Sequence, residues 1–141
     1  MKRQELLGVD EPASAFGALA KAASLAGVRI GWLDLAGPPQ PLPSLAEAAT
    51  SGFRVAVEAG PEFSLTVRRR RGAPVLRDVL RQNFAGCRMV LVRGMGAGPK
   101  LAAAPEGWSL KGESRVIHLD TSTFLDRLAR HRPFPELDEP E

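Results

Sequence analysis

The chain has 141 residues, 44% of them hydrophobic, with 19 basic and 16 acidic side chains and a formal net charge of +3. That length matches one domain with enough core to fold without staples. The single cysteine, Cys87, excludes an internal disulfide, and the longest strongly apolar run, Met89 to Val92, is too short for a helix that crosses a bilayer.

The start, Met1-Lys2-Arg3-Gln4-Glu5, is basic but has no apolar leader behind it. The expected location is therefore the cytoplasm, with no membrane partner. Asp10-Glu11-Pro12 supplies the acids and proline that helix starts favour, and Phe16, Leu19 and Ala23 follow at helical spacing. A helix over 13–26 is expected, ended by Gly27 and covered over much of its circumference. Val28 to Leu35 is almost continuously apolar, the pattern of a strand buried on both faces. The Pro38 to Pro43 stretch then breaks regular structure, as a stiff connector or a polyproline segment for a partner.

Ser44 and Glu47 have capping-box spacing for a short helix ending at Gly52. Phe53 to Glu58 and Phe63 to Arg68 both alternate around a Gly60-Pro61 turn, which predicts an antiparallel hairpin. Phe53 and Phe63 are expected to pack in the core. Residues 74–85 carry Val75, Leu76, Val79, Leu80 and Phe84 on one helical face, with Gly86 as the stop. Arg88 to Arg93 is a second apolar strand, and Gly94 to Pro99 a loop. Residues 107–119 predict a weak strand pair around Lys111-Gly112-Glu113. Asp120 to Thr123 caps a last helix ending near Arg130.

This order is α/β. One architecture is a three-layer sandwich with a mixed, mainly parallel sheet. The alternative reads residues 28–93 as a ferredoxin-like β-α-β-β-α-β unit with additions. The expected organisation is a single α/β domain over 1–132 and a flexible acidic tail over 133–141. Glu136, Asp138, Glu139 and Glu141 lie in that tail, so residues 1–135 carry 19 basic and 12 acidic side chains, a net +7. A basic body attracts anionic partners.

The phosphate-loop pattern G-x-x-x-x-G-K-[ST] fails in Gly94 to Leu101. Pro99 separates Gly98 from Lys100 and removes an amide, and Leu101 stands in place of the hydroxyl. The most specific surface feature is Arg68-Arg69-Arg70-Arg71. Adjacent guanidinium groups repel one another, and a polyanion relieves that repulsion by releasing counterions on binding. The run is either a solvated strand end or a nucleic-acid or anionic-partner site. Continued alternation puts Arg68 and Arg70 on the face of Ser64 and Thr66. Phe53 and Phe63 can stack bases only if their face is open.

No metal or cofactor is expected. The only histidines, His118 and His131, are thirteen residues apart with no cysteine pair. His118 and Asp120 have the spacing of a ligand or base pair, but Asp120 fits a helix cap. Glu58 and Glu62 flank the hairpin turn without the acid-x-lysine that metal-dependent nuclease chemistry requires. Cys87 has no neighbouring activator in sequence. Asp34 lies near a strand end, where α/β sites gather.

Leu19 to Leu35 resembles the helix and second strand that follow the phosphate loop in RecA-like and ParA-like P-loop proteins. Phe84 to Val92 is similar to the helix end and Walker B strand of RecA-like accessory proteins. Where the phosphate loop belongs, this chain has Gly8-Val9-Asp10-Glu11-Pro12-Ala13-Ser14, and Arg93 follows Val92 in place of an acid. The resemblance thus implies a degenerate P-loop domain lacking the loop, a non-hydrolysing partner-binding relative in a setting such as DNA repair.

Three functions follow as expectations. The first is a non-enzymatic accessory domain with a protein partner and a nucleic acid on its basic face. The second is a nucleotide-binding or hydrolytic enzyme assembled from Asp34, Glu58, His118 and Asp120, favoured by a cleft holding at least two of them. The third is a ferredoxin-like regulatory or oligomerisation module.

Overall fold

The computed structural model describes residues 4–35, 43–70 and 72–138, excepting the side chains of Pro43, Ser44, Ala49 and Asp138. The proline connector over 38–42, Arg71 and residues 139–141 lie outside these, as does the Ser44 side chain of the capping box. Contacts group the chain into two compact units. Pro38–Asn83 forms one, and Met1–Gly37 with Phe84–Glu141 the other.

The larger unit is built on a six-stranded sheet. Its strands are β1 (Glu5–Val9), β2 (Ile30–Asp34), β5 (Met89–Arg93), β6 (Lys100–Ala104), β7 (Gly107–Lys111) and β8 (Val116–Leu119), in the order β2-β5-β1-β6-β7-β8. β5 lies parallel between β2 and β1, β6 is parallel to β1, and β6, β7 and β8 continue as an antiparallel meander. The protein is therefore α/β with a mixed, mainly parallel sheet. β5 is paired on both sides, and Met89, Val90, Leu91 and Val92 are all buried. β2 carries the same kind of apolar run but is an edge strand, and its residues are half-buried rather than enclosed.

One face of this sheet packs Leu7, Val9, Met89 and Leu91 against Leu19 and Ala23 of α1 (Gly17–Leu25) and Phe124 and Leu128 of α4 (Thr121–Leu128). A 3-10 turn, Ala13–Phe16, precedes α1. It drives Phe16 between Trp32 and Trp108, with ring centroids 5.9 and 5.6 Å away. α1 buries a single stripe, and Leu25 is exposed, so alanine content overstated the coverage of this helix. Gly27 ends it at φ +73°, the left-handed conformation that favours glycine. On the opposite face of β2, the Phe84 ring lies against Gly31.

The strand pair expected around Lys111-Gly112-Glu113 is β7 and β8. Asp120 caps α4, accepting from the Thr123 amide at 2.7 Å. Beyond α4 the chain stays attached through residue 138, where the sequence reading has a flexible tail from 133. Phe134 is buried against Phe124, and a 3-10 turn follows at Pro135–Asp138. Arg127 donates to the Pro133 carbonyl and the Glu136 carboxylate and lies over the Phe134 ring. Burial pushes the Glu136 carboxyl up, but the hydrogen bond and charge of Arg127 outweigh it and hold the group below its ordinary value.

The smaller unit contains α2 (Pro43–Thr50), β3 (Val55–Ala59), β4 (Ser64–Arg68) and α3 (Leu76–Asn83). β3 and β4 make a separate two-stranded antiparallel sheet, with α2 packed against both strands. This corrects the ferredoxin-like alternative. That fold needs the strands of residues 28–93 in one sheet, whereas β2 and β5 pair in parallel and the hairpin pairs only with itself.

Candidate functional site

The arginine run sits at one end of the β3–β4 hairpin. Val55 lies opposite Arg68, Val57 opposite Thr66 and Ala59 opposite Ser64. Directly opposed residues share a face. Arg68 therefore shares a face with Ser64, Thr66, Val55 and Val57, all exposed. The other face carries Ala56, Glu58, Leu65 and Val67, and here Ala56, Glu58 and Val67 are half-buried. The Arg69 amide donates to the Arg54 carbonyl at 3.0 Å, which extends the ladder past Arg68. Arg70 donates from Nη2 to Gln82 Oε1 on α3 at 3.1 Å. Arg68, Arg69 and Arg70 are all exposed.

Phe53 and Phe63 are not core residues. They are 63% and 78% exposed, and Val57 is 55% exposed. A two-stranded sheet with one short helix against it has too little covering surface for both faces. The hairpin thus presents Phe53, Val55 and Val57 next to a row of guanidinium groups, while Phe63 stands at the turn end opposite Gly60.

The C-terminal edge of the parallel strands is where ligands of α/β folds usually bind. Here it is populated by internal ion pairs. Arg93, ending β5, lies 3.4 Å from Asp34, ending β2. Lys100, opening β6, lies 3.2 Å from Asp10 behind β1. Glu11 accepts from the Ala103 amide at 3.0 Å. Pro12, just before the 3-10 turn, has no amide to offer.

A third feature is an open groove of about 420 Å³ between the β6–β7 turn and the end of β8. Glu106, Trp108, His118 and Asp120 line it, so two of the four residues of the distant-residue enzyme site do meet in a cleft. Asp34 lies at the far edge strand, and Glu58 belongs to the smaller unit. Within the groove the Asp120 carboxylate is engaged by α4. The Thr123 amide holds it below its ordinary value and fixes it in the ionised form. Trp108 Nε1 donates to Thr121 Oγ1 at 2.9 Å. Among the described residues no three His, Cys, Asp or Glu side chains are placed to hold a metal ion, and no helix is long and apolar enough to cross a membrane.

Sequence reasoning missed β1, β6 and the Arg127–Glu136 anchor. Leu6-Leu7-Gly8-Val9, bounded by Asp10 to Pro12, was the available signal for β1, a short apolar run before a break. β6 reads Lys-Leu-Ala-Ala-Ala, a helix-favouring composition, and gave no strand signal.

No protein-family model matches this chain. No curated protein matches it either. Among solved structures it is similar to MobB of Bacillus subtilis, at a TM-score of 0.53 and 18% identity, over 72% of this chain and 69% of that one. At that identity the likeness concerns fold alone: the chain shares a mixed, mainly parallel α/β fold with that protein.

Proposed function

We propose that the protein is a non-enzymatic accessory domain that holds a polyanion, first of all single-stranded nucleic acid, on the exposed hairpin face. The observation that carries this reading is the juxtaposition of Arg68 to Arg70 with exposed Phe53, Val55 and Val57 on a sheet open to solvent. Guanidinium groups neutralise phosphates, and exposed rings supply sequence-tolerant stacking. The net +7 of residues 1–135 adds a long-range attraction.

The edge of the parallel sheet supports the same reading by offering little to a nucleotide. Asp10 and Glu11 stand where a phosphate loop would present amides, and Lys100 and Arg93 are already paired to carboxylates. A P-loop ancestry with loss of the loop is part of this proposal, as are a protein partner, a cytoplasmic location and a setting in DNA repair. Fluorescence anisotropy with labelled single- and double-stranded DNA and RNA tests it. Binding should weaken steeply with salt and vanish when residues 68–71 are replaced by serine.

The groove at His118 favours a second reading, a hydrolytic site. Its test is direct: His118→Ala abolishes any phosphoesterase or nucleotidase activity of the purified protein if that groove is the active site.

A further inference from the structure

We infer that the free edge of β3 pairs antiparallel with the β3 of a second copy of this chain, in one register centred on Ala56. A two-stranded sheet is marginal by itself, and both of its outer edges carry unpaired backbone groups. The edge of β4 runs directly into Arg68, Arg69 and Arg70, charges of the kind that blunt edge pairing. The edge of β3 carries one charge of each sign, Arg54 and Glu58, in place of a run of one sign. Its flanking apolar residues, Phe53, Val55 and Val57, are exposed.

The hydrogen-bonding phase of β3 restricts the possible registers. The Arg69 amide donates to the Arg54 carbonyl, and the Gly60 amide to the Phe63 carbonyl. Arg54, Ala56, Glu58 and Gly60 therefore direct their backbone groups toward β4, because the pattern alternates. Val55, Val57 and Ala59 direct theirs outward. A symmetric antiparallel pair must match outward residues with outward residues, so the axis falls on Val55, Ala56, Val57 or Glu58. With the axis at Ala56, each Val55 faces Val57 of the copy as a hydrogen-bonded pair. Each Arg54 then faces Glu58 of the copy in the closer, non-hydrogen-bonded spacing, on both sides of the axis. The neighbouring registers put Arg54 opposite Ala56 or Gly60 and lose this complementarity. Neither Arg54 nor Glu58 makes a side-chain ion pair or hydrogen bond among the described residues. The charge pattern of β3 is thus self-complementary in the register that its backbone phase permits.

The product is a sheet in the order β4-β3-β3-β4, with a continuous strip of valines on the face that also carries Arg68. The two arginine-bearing strands stand at the outer edges, about 14 Å apart at ordinary strand spacing. A dimer of this kind presents the basic run twice, which goes beyond the single-copy binding proposed above and does not depend on it.

Sedimentation velocity of the full chain over the micromolar range should show a monomer–dimer equilibrium. Arg54→Glu and Glu58→Arg should each raise the dimer dissociation constant about tenfold, because like charges then oppose at both symmetric positions. The double exchange should restore the original value. In a Cys87→Ser background, Ala56→Cys should form a disulfide-linked dimer under mild oxidation, since its Cα atoms approach to about 4.5 Å across the axis. Thr66→Cys on β4 should not. Circular dichroism of each variant confirms that it is folded. A folded chain that stays monomeric throughout, a dimer indifferent to the charge exchange, or cross-linking through Thr66 instead of Ala56 overturns the inference.

Discussion

Gly31 has no side chain because the Phe84 ring stands where one would go. A Cβ there would lie 2.4 Å from the ring edge, so Gly31→Ala must displace Phe84. The expected cost is about 1–3 kcal/mol in a thermal melt. Phe84→Leu in the same chain should give less than the sum of the two separate effects, because both changes act on one contact. Phe16 is the converse case, a ring held between two tryptophans, and Phe16→Ala should cost about 3–5 kcal/mol. Glu136 makes a prediction about acid. Its folded-state pKa is depressed, so its contribution is present above the ordinary value of 4.5 and is lost as pH falls through the lower folded value. The Tm gap between the parent chain and Glu136→Gln should be full at pH 6 and above and close as the pH drops well below 4.5. A gap that is unchanged at low pH would mean that the Arg127 contact contributes nothing through charge.

At the scale of elements, most helices and strands could be read from the chain because their signals are local. Gly27 and Gly86 both adopt the positive φ that stops a helix, and Asp120 caps α4 as its place before Thr121-Ser122-Thr123 implies. The failures have a common physical origin, since burial is decided by partners and not by a segment's own composition. Val28 to Leu35 and Arg88 to Arg93 look alike in sequence, yet one became an edge strand and the other an inner strand paired on both sides. Alternation located the hairpin correctly, but it could not tell that Phe53 and Phe63 would find no covering layer. β6 was hidden because three alanines carry no strand signal, and its place is set by pairing with β7. The cap gives an element-scale prediction. Asp120→Ala should lower Tm while Asp120→Asn, which keeps an acceptor for the Thr123 amide, should retain most of the stability.

At the scale of the whole molecule, the larger unit supplies a mixed, mainly parallel α/β frame, and the hairpin unit is the chain segment between β2 and β5. The residues that sequence reasoning singled out divide along that line. Asp34 joins an ion pair at the sheet edge, while His118 and Asp120 share a groove with a carboxylate engaged in capping. The arginine run belongs to the hairpin unit, beside an exposed Phe53 that the sequence alone placed in the core. The basic run was legible because charge is local, and the exposure of Phe53 beside it was not, because exposure depends on what covers the hairpin. The measurement that tests the account most directly is anisotropy of labelled single-stranded DNA and RNA across a salt series. The comparison sets the parent chain against one with Phe53→Ala and another with serine at 68–71. The expected result is salt-dependent binding that is lost without the arginines and weakened by about 1–3 kcal/mol without the Phe53 ring. No binding at low salt, or binding that survives removal of the arginines, would contradict it.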